Sequence, residues 1–483
     1  MKKMNRVMLI FPPGRIFQRS EDRCQSNIDD SAASSVHACN DIGYAAAILR
    51  NSGYSVFLRD YQTEKADIAE VEKDIREFSP DLIIISITNA TIISDIEFVN
   101  WICSFHKCEF ILKGAIFFNI SDENLKSLDL TNINYLLGGE IETTIGELVN
   151  NIFRNEGNIA EIPGIVYKDG DVFKKTTFGV WQDNLDDIPF PARDLMNNAL
   201  YVRPDTGEPM ATIQVSKGCP ANCIYCMTPI ISGKRIRKRS VENIFSEISE
   251  CYHKYGIKNF FLKADTFTIE TEWAEAICDR IINSDLYGKI EFTVNSRVKP
   301  INRQLLEKLK KAGCFMIAVG FESGNEKTLK LIKKGTCVED NLNAAKMIKE
   351  VGLPLFGFFM IGFPWETRED TINTLKFIFE IDPDFIEIHV AMPYFGTGLY
   401  NECEKYKTIK SEAWGNDIFS PNTIGTATVP MDEIKELKKK YLLKFYLRPK
   451  YILKKLYGCI VRPKVLMNYV KYGLRLIKNN LFK

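Results

Sequence analysis

The sequence predicts a two-part α/β protein: a doubly wound, Rossmann-like domain, then a partial β/α barrel of six strands, closed by a helical C-terminal region. Three observations carry that prediction. Short β-branched runs alternate with helical patterns along two stretches of the chain, and glycine repeatedly follows the end of a strand. At 483 residues the chain also exceeds what one ordinary core fills.

Within residues 1–150, positions 7–11 read as a strand, 43–51 as a helix closed by Gly53, and 55–60 as the next strand. The β-branched run 82–87 follows Pro80-Asp81 and suits a strand buried on both faces of a parallel sheet. Strands at 110–113 and 135–137 end at Gly114 and at Gly138-Gly139. A ligand of such a sheet lies beyond the carboxyl ends of its strands, where these glycines fall. Residues 151–205 carry turn signals (Ile162-Pro163-Gly164, Asp169-Gly170-Asp171, Ile188-Pro189-Phe190-Pro191) and read as a linker. Residues 206–405 form the barrel, with strands at 211–216, 259–263, 291–295, 315–320, 355–361 and 385–390. Amphipathic helices such as 241–255 and 304–312 lie between them. Polar residues just after these strands gather at one mouth, where barrels keep their chemistry. Residues 406–483 complete the chain as a basic helical region.

The composition is 45% hydrophobic and 26% charged. The longest apolar runs, 82–87 and 353–364, fall short of the roughly 20 residues of a membrane span. No targeting segment is visible, since residues 7–11 are too short for a signal-peptide core. The expected location is the cytoplasm, at most against a membrane. Of 13 cysteines only Cys219, Cys223 and Cys226 cluster, so reduced thiols fit better than a disulfide framework. Cys251, Cys278 and Cys314 read as small buried hydrophobes. Net charge is +1, yet residues 438–483 hold 14 Lys or Arg and no Asp or Glu, which leaves the remainder near −13. Such an end suits an anionic membrane surface or a solvated helical cap on the barrel. Nucleic acid is not expected, because no recognisable binding module accompanies the charge.

Chemistry concentrates in Cys219-Pro220-Ala221-Asn222-Cys223-Ile224-Tyr225-Cys226, just past the first barrel strand. Three thiolates within eight residues can wrap one face of a metal cluster. The spacing does not fit the usual zinc pairs, and no fourth Cys or His stands nearby. Three ligands on a cubane leave one iron open.

This Cys-x3-Cys-x2-Cys spacing, with an aromatic residue before the last cysteine, resembles the radical S-adenosylmethionine (SAM) superfamily, and the match runs from about 210 to 400. The resemblance implies that Cys219, Cys223 and Cys226 hold a [4Fe-4S] cluster whose open iron binds SAM. One electron would then cleave SAM to a 5′-deoxyadenosyl radical. It places Tyr225 near the adenine and Asp265 near the SAM amino group. Asn295, Arg297, Glu322, Ser323, Gly324 and Gly362 complete the expected SAM site. Two positions depart from the family pattern: Trp365 stands where glycine is usual, and Phe395 where proline is common. Both are expected to shape the substrate side of the mouth.

Residues 7 to about 148, through Pro12-Pro13, the 43–49 helix, Pro80-Asp81, the 86–91 loop, Gly114 and Gly138-Gly139-Glu140-Ile141-Glu142, resemble the cobalamin-binding domain fused to many such enzymes. Residues 187–193 match as well. The resemblance implies a cobalamin site that uses Ser86, Thr88, Gly114, Gly139 and Glu140. No Asp-x-His-x-x-Gly motif is present, so no histidine ligand to cobalt is expected. His37 reads as part of a polar loop and His106 as a surface residue. A domain that kept the fold and lost the cofactor is the alternative.

The functions implied are, in order, methylation of an unactivated carbon by way of methylcobalamin, a cyclisation or rearrangement with the same cofactors, and a non-catalytic cobalamin sensor. The intact cysteines argue against the sensor. The expected partners are a small-molecule or lipid substrate and an electron donor such as flavodoxin or ferredoxin. The stretch 446–453 resembles the C-terminal part of relatives that act on lipids, hopanoids or porphyrin-like rings. His389 and Tyr394, at and after the sixth strand, are candidate pocket residues, with structural packing as the plainer reading.

Overall fold

Leu82 and Ile84 point into one apolar core and Ile83 and Ile85 into another, so this strand is buried on both faces. That alternation sets the first layer of the computed structural model, which describes residues 5–16, 36–38, 40–88, 90–409, 424–459 and 463–481. The sheet runs in the spatial order Ser55–Asp60, Arg6–Phe11, Leu82–Ser86, Glu109–Lys113, Tyr135–Leu137, Ile165–Asp169, Val172–Lys175. The first five strands are parallel. Strand order therefore reverses beside Arg6–Phe11, the place where open α/β sheets bind ligands. The helix Asn40–Asn51 follows that strand, and Asn40 to Tyr44 lie beyond its carboxyl end.

The last two strands fall in the stretch expected to be a linker. They pair antiparallel with the sheet and with each other, closed by Gly170-Asp171 with Gly170 at φ +63°. Two-residue loops of this kind join hairpin strands because a positive φ matches their twist. Apolar Ile165 and Val166 inside the strand supply its burial.

The second sheet is wholly parallel and follows chain order: Met210–Gln214, Asn259–Lys263, Glu291–Arg297, Cys314–Glu322, Leu355–Ile361 and Phe385–Val390. These are the six predicted strands, with the third and fourth longer at their ends than expected. Five helices cover the outer face: Val241–Tyr255, Thr271–Ile282, Arg303–Lys311, Val338–Val351 and Arg368–Ile381. Cys251, Cys278 and Cys314 lie in this buried layer, as read. First and sixth strands do not pair, so the barrel stays open on one side. The exposed edge of the sixth strand is blunted by Tyr446, whose hydroxyl accepts from the Ile386 N–H and donates to its carbonyl, both at 3.0 Å. C-terminal helices Met431–Tyr446, Pro449–Gly458 and Pro463–Leu481 follow. Among the described residues no helix is long and apolar enough to cross a membrane.

Ion pairs join the two layers. Ser216–Lys217 and Arg237–Lys238 form a short antiparallel ribbon that sets Lys217 opposite Arg237, with the cysteine segment as its loop. Two cations facing each other repel. Glu140 and Glu142, at the start of helix Ile141–Arg154, neutralise them. The Arg237 guanidinium donates to both Glu140 oxygens at 2.9 and 2.6 Å, and Lys217 Nζ reaches Glu142 at 2.8 Å and Glu140 at 3.6 Å. All four side chains are buried. Asn40 Nδ2 adds a bond to the Thr212 carbonyl at 2.7 Å.

Removing one partner of a buried pair leaves an uncompensated charge, so Glu140→Ala is expected to cost about 3 kcal/mol in urea unfolding. Lys73→Ala, which breaks the exposed pair with Glu77, is expected to stay within about 0.5 kcal/mol of wild type. Equal costs for the two variants would contradict the docking role of Glu140.

Candidate active site

The cysteine segment begins at Gly218, whose φ of +91° and close approach to the Arg235 carbonyl leave no room for a side chain. Asp265, at the end of the second barrel strand, ties this loop down. Its carboxylate accepts from the Gly218 N–H at 2.6 Å and from the Thr228 hydroxyl at 3.2 Å. Cys219 and Cys223 are buried and Cys226 half-buried, and all three line one cavity of about 1040 Å³. Among the described residues, no group of three Cys, His, Asp or Glu side chains forms a single-ion site. Three thiols spread along a loop suit the broader face of a cluster.

Cationic groups surround these sulfurs. Arg297 Nη1 donates to Cys223 Sγ at 3.1 Å, and its other nitrogen donates to the Lys334 carbonyl. Lys334 Nζ is 2.6 Å from Glu322 and donates to the Tyr225 hydroxyl at 3.3 Å. Burial, then the neighbouring Glu322 carboxylate, pushes the Tyr225 phenol well above its usual range. Glu322 holds φ at +65°, where the ladder to the fifth strand slips register. A glutamate in this region is strained, and such strain persists where packing over-determines it. Lys334 had no sequence signal; it is one of two lysines before Gly335, and only folding buries it at 3% exposure.

Tyr225, Asp265, Asn295, Arg297 and Glu322 line the cavity with the cysteines. Asn295 is fixed by a two-way amide bond to Ala264, donating at 2.6 Å and accepting at 3.4 Å. Ser323, Gly324 and Gly362 stand behind this wall. The Ser323 hydroxyl meets Thr374 at 3.0 Å, and a Cβ on Gly324 would meet Phe377 at 2.5 Å. The Gly362 N–H donates to Glu366 at 2.8 Å. Trp365 is buried, stacked on Phe363 at 5.4 Å and bonded to Thr328, so it braces the loop instead of facing the mouth. Phe395, His389 and Tyr394 do line the cavity.

The cavity reaches across to the first sheet, where His37, Asn40, Asp41, Tyr44, Ile116 and Glu142 face it. Five residues expected there stand behind this lining. The Ser86 hydroxyl donates to Asp41 at 3.4 Å, and Thr88 belongs to a buried set with Thr91 and Asp95. Gly114 packs on Ile87 and Gly139 on Gly164, while Glu140 is bound to Arg237. Ser86 thus supports the wall through Asp41, itself held by Lys113 at 2.7 Å. His37 lies in irregular backbone, but its ring turns toward the cavity. Its ring lies 5.3 Å from Phe261, and burial lowers its pKa to about 4, which keeps the ring neutral. His106 is half-buried and meets the Pro80 carbonyl at 2.8 Å. Asn40 Oδ1 and Thr212 Oγ1 are buried without a hydrogen-bond partner among the described residues, and both side chains line the cavity. Such groups are costly unless a ligand or water meets them.

Glu366 is buried beneath the Gly362 loop, and burial pushes its pKa from the ordinary 4.5 up to about 7. The folded value is raised, so the associated stability is full below 4.5 and is lost as pH rises through about 7. Glu366→Gln is expected to flatten that decline in urea unfolding over this window; parallel pH profiles for variant and wild type would contradict it.

Residues 213–378 match the model of the radical SAM superfamily. An uncharacterized methyltransferase of Pyrococcus horikoshii is 29% identical over 416 residues, 86% of this chain and 89% of that protein. The cytidylyl-2-hydroxyethylphosphonate methyltransferase of Streptomyces wedmorensis is 23% identical, over 83% and 82% of the two chains. Among solved structures, the cobalamin-dependent SAM radical enzyme OxsB with aqua-cobalamin and SAM bound superposes at a TM-score of 0.71. It covers 97% of this chain and 72% of its own at 16% identity, a likeness of fold.

Proposed function

We propose that the chain, whose residues 213–378 match the radical SAM superfamily, is a cobalamin-dependent member that methylates an unactivated carbon. The observation that carries this reading is the single cavity that reaches from the three cysteines to the carboxyl ends of the first sheet. A methyl donor held by one layer and a radical generated at the other must meet across one space. When bound, a [4Fe-4S] cluster reduced by one electron and SAM would supply a 5′-deoxyadenosyl radical able to take a substrate hydrogen, and methylcobalamin would supply the methyl group.

In this reading Cys219, Cys223 and Cys226 hold the cluster, and Arg297 offsets the charge of its thiolates from 3.1 Å. Asp265 fixes the loop that carries them, and with Asn295 and Glu322 it presents polar groups to the amino acid part of SAM. Lys334 holds Glu322 and Tyr225 in place. On the opposite wall Asn40, flanked by Asp41 and Tyr44, offers an unmet polar atom to a large polar cofactor, and Thr212 of the first barrel strand offers another from the near side. Ser86, Thr88, Gly114 and Gly139 build the loops behind, so their role in cobalamin binding is indirect. His37 is neutral and at the cavity, in a position open to a cofactor or substrate contact. A reductant such as flavodoxin or ferredoxin, a small-molecule or lipid substrate, and a peripheral membrane contact of the basic C-terminus belong to the same reading.

Replacing Cys219, Cys223 and Cys226 together by Ala is expected to abolish both the brown chromophore and SAM cleavage in the anaerobically reconstituted protein. Retained cleavage would overturn the cluster assignment. Lys334→Ala is expected to keep the iron and slow SAM cleavage about tenfold, the ordinary loss of one positioning contact of about 1.4 kcal/mol.

A further inference from the structure

The cavity does not end at the mouth. It runs down the barrel lumen, past Phe261, Thr293, Phe358 and Phe356, to the amino-terminal ends of the strands. Closed eight-stranded β/α barrels fill their interior with layered side chains, whereas this open six-stranded one does not. Here the lumen-facing Phe261, Met316, Phe356 and Phe358 remain partly exposed, while their outward neighbours Phe260, Ile317, Leu355 and Phe359 are buried. Aromatic contacts form a ladder along one wall: His389 to Phe358 at 6.0 Å, Phe358 to Phe356 at 4.9 Å, Phe356 to Phe385 at 6.4 Å, and Phe385 to Tyr469 at 6.0 Å. The ladder begins at the mouth and ends on the last helix.

That helix lies across the gap between the edge strands. Tyr469 meets the base of the sixth strand, and Asn468 Nδ2 donates at 2.9 Å to the Asp205 carbonyl, ahead of the first. The charges around this floor pair internally: Arg203 with Asp205 and Glu291, Lys455 with Asp384. Leu456, Leu466, Val470 and Gly473 line the lower end of the cavity.

The outer faces of the same helices are apolar. Leu453, Leu456 and Tyr457 are 66%, 44% and 79% exposed, and Met467, Val470 and Leu474 are 69%, 51% and 63% exposed. The spacing puts each set on one helical face. Exposed lysines at 450, 464, 471 and 478 rim it, and residues 438–483 contain no carboxylate side chain. An apolar stripe on a basic helix fits the interface of an anionic bilayer. Leu456 and Val470 belong both to the outer stripe and to the cavity wall, so the cavity opens on that face.

We propose that helices Pro449–Gly458 and Pro463–Leu481 seat the protein on an anionic membrane and admit the hydrocarbon chain of an amphiphilic substrate into the barrel from below. The inference rests on the reading of the mouth as the reacting site: the chain occupies the lumen, and the reacting carbon lies toward the cysteines.

The test uses the full, cluster-reconstituted protein with phosphatidylglycerol–phosphatidylcholine vesicles, some carrying phosphatidylglycerol with a diazirine at the acyl terminus. The protein is expected to float with these vesicles and not with phosphatidylcholine alone. Photolabels are expected on lumen residues such as Phe356 and Tyr469. A variant with Leu453→Glu, Met467→Glu and Leu474→Glu, all on the outer face, is expected to lose flotation about tenfold while keeping its iron and its substrate-independent SAM cleavage. Absence of wild-type flotation, labels confined to the outer face, or a stable dimer that buries this face would overturn the proposal. Flotation and lumen labelling in a protein that cannot cleave SAM would instead overturn the reading of the mouth.

Discussion

Glu140 and Glu142 meet Lys217 and Arg237 where both halves of the molecule converge at the base of the cysteine loop. Lys217 and Arg237 close the base of that loop, and they stand opposite each other in a two-stranded ribbon. Without the carboxylates their repulsion would open the ribbon, and the loop would lose its anchor. The same bonds press the barrel mouth onto the carboxyl ends of the first sheet. One electrostatic lock therefore contributes both to the shape of the cysteine loop and to the docking of the two layers. This explains why a glutamate that reads as a cofactor ligand is instead fully engaged with arginine.

From this lock the chemistry takes its geometry. Asp265 and Arg297 grip the loop from two different barrel strands, and Lys334 connects Glu322, Tyr225 and Arg297 behind it. Positive charge around the sulfurs offsets what thiolates and a cluster bring. Where the two layers meet, the wall is polar and partly unmet, at Asn40 of the first layer and Thr212 of the barrel. Below, it turns aromatic and hollow. A site that is electrostatic at one end and apolar at the other suits a reaction on an unactivated carbon of a largely apolar molecule.

The fold class was legible because strand periods are local. Every barrel strand and the β-branched run at 82–86 could be read from a few residues each. The cysteine motif was legible for the same reason, as were Asp265, Asn295, Arg297 and Glu322, which stand at or just past the carboxyl ends of their strands. Long-range pairing was not. Lys334 differs from Lys333 only in where its side chain goes after folding, and Arg237 meets Glu140 across 97 residues. The hairpin at 165–175 was hidden by turn signals that suit a linker equally well. The cavity position of the His37 ring was hidden because polar neighbours in sequence say nothing of Phe261, which reaches it from the other layer.

Iron and cobalt content per chain, measured after anaerobic purification with added cobalamin and read with the visible spectrum, tests the central claim most directly. The account predicts about four irons and about one cobalt in the same preparation. Four irons without cobalt would contradict the methyl-transfer reading and leave the radical SAM chemistry standing, whereas cobalt without iron would contradict the assignment of the cysteines.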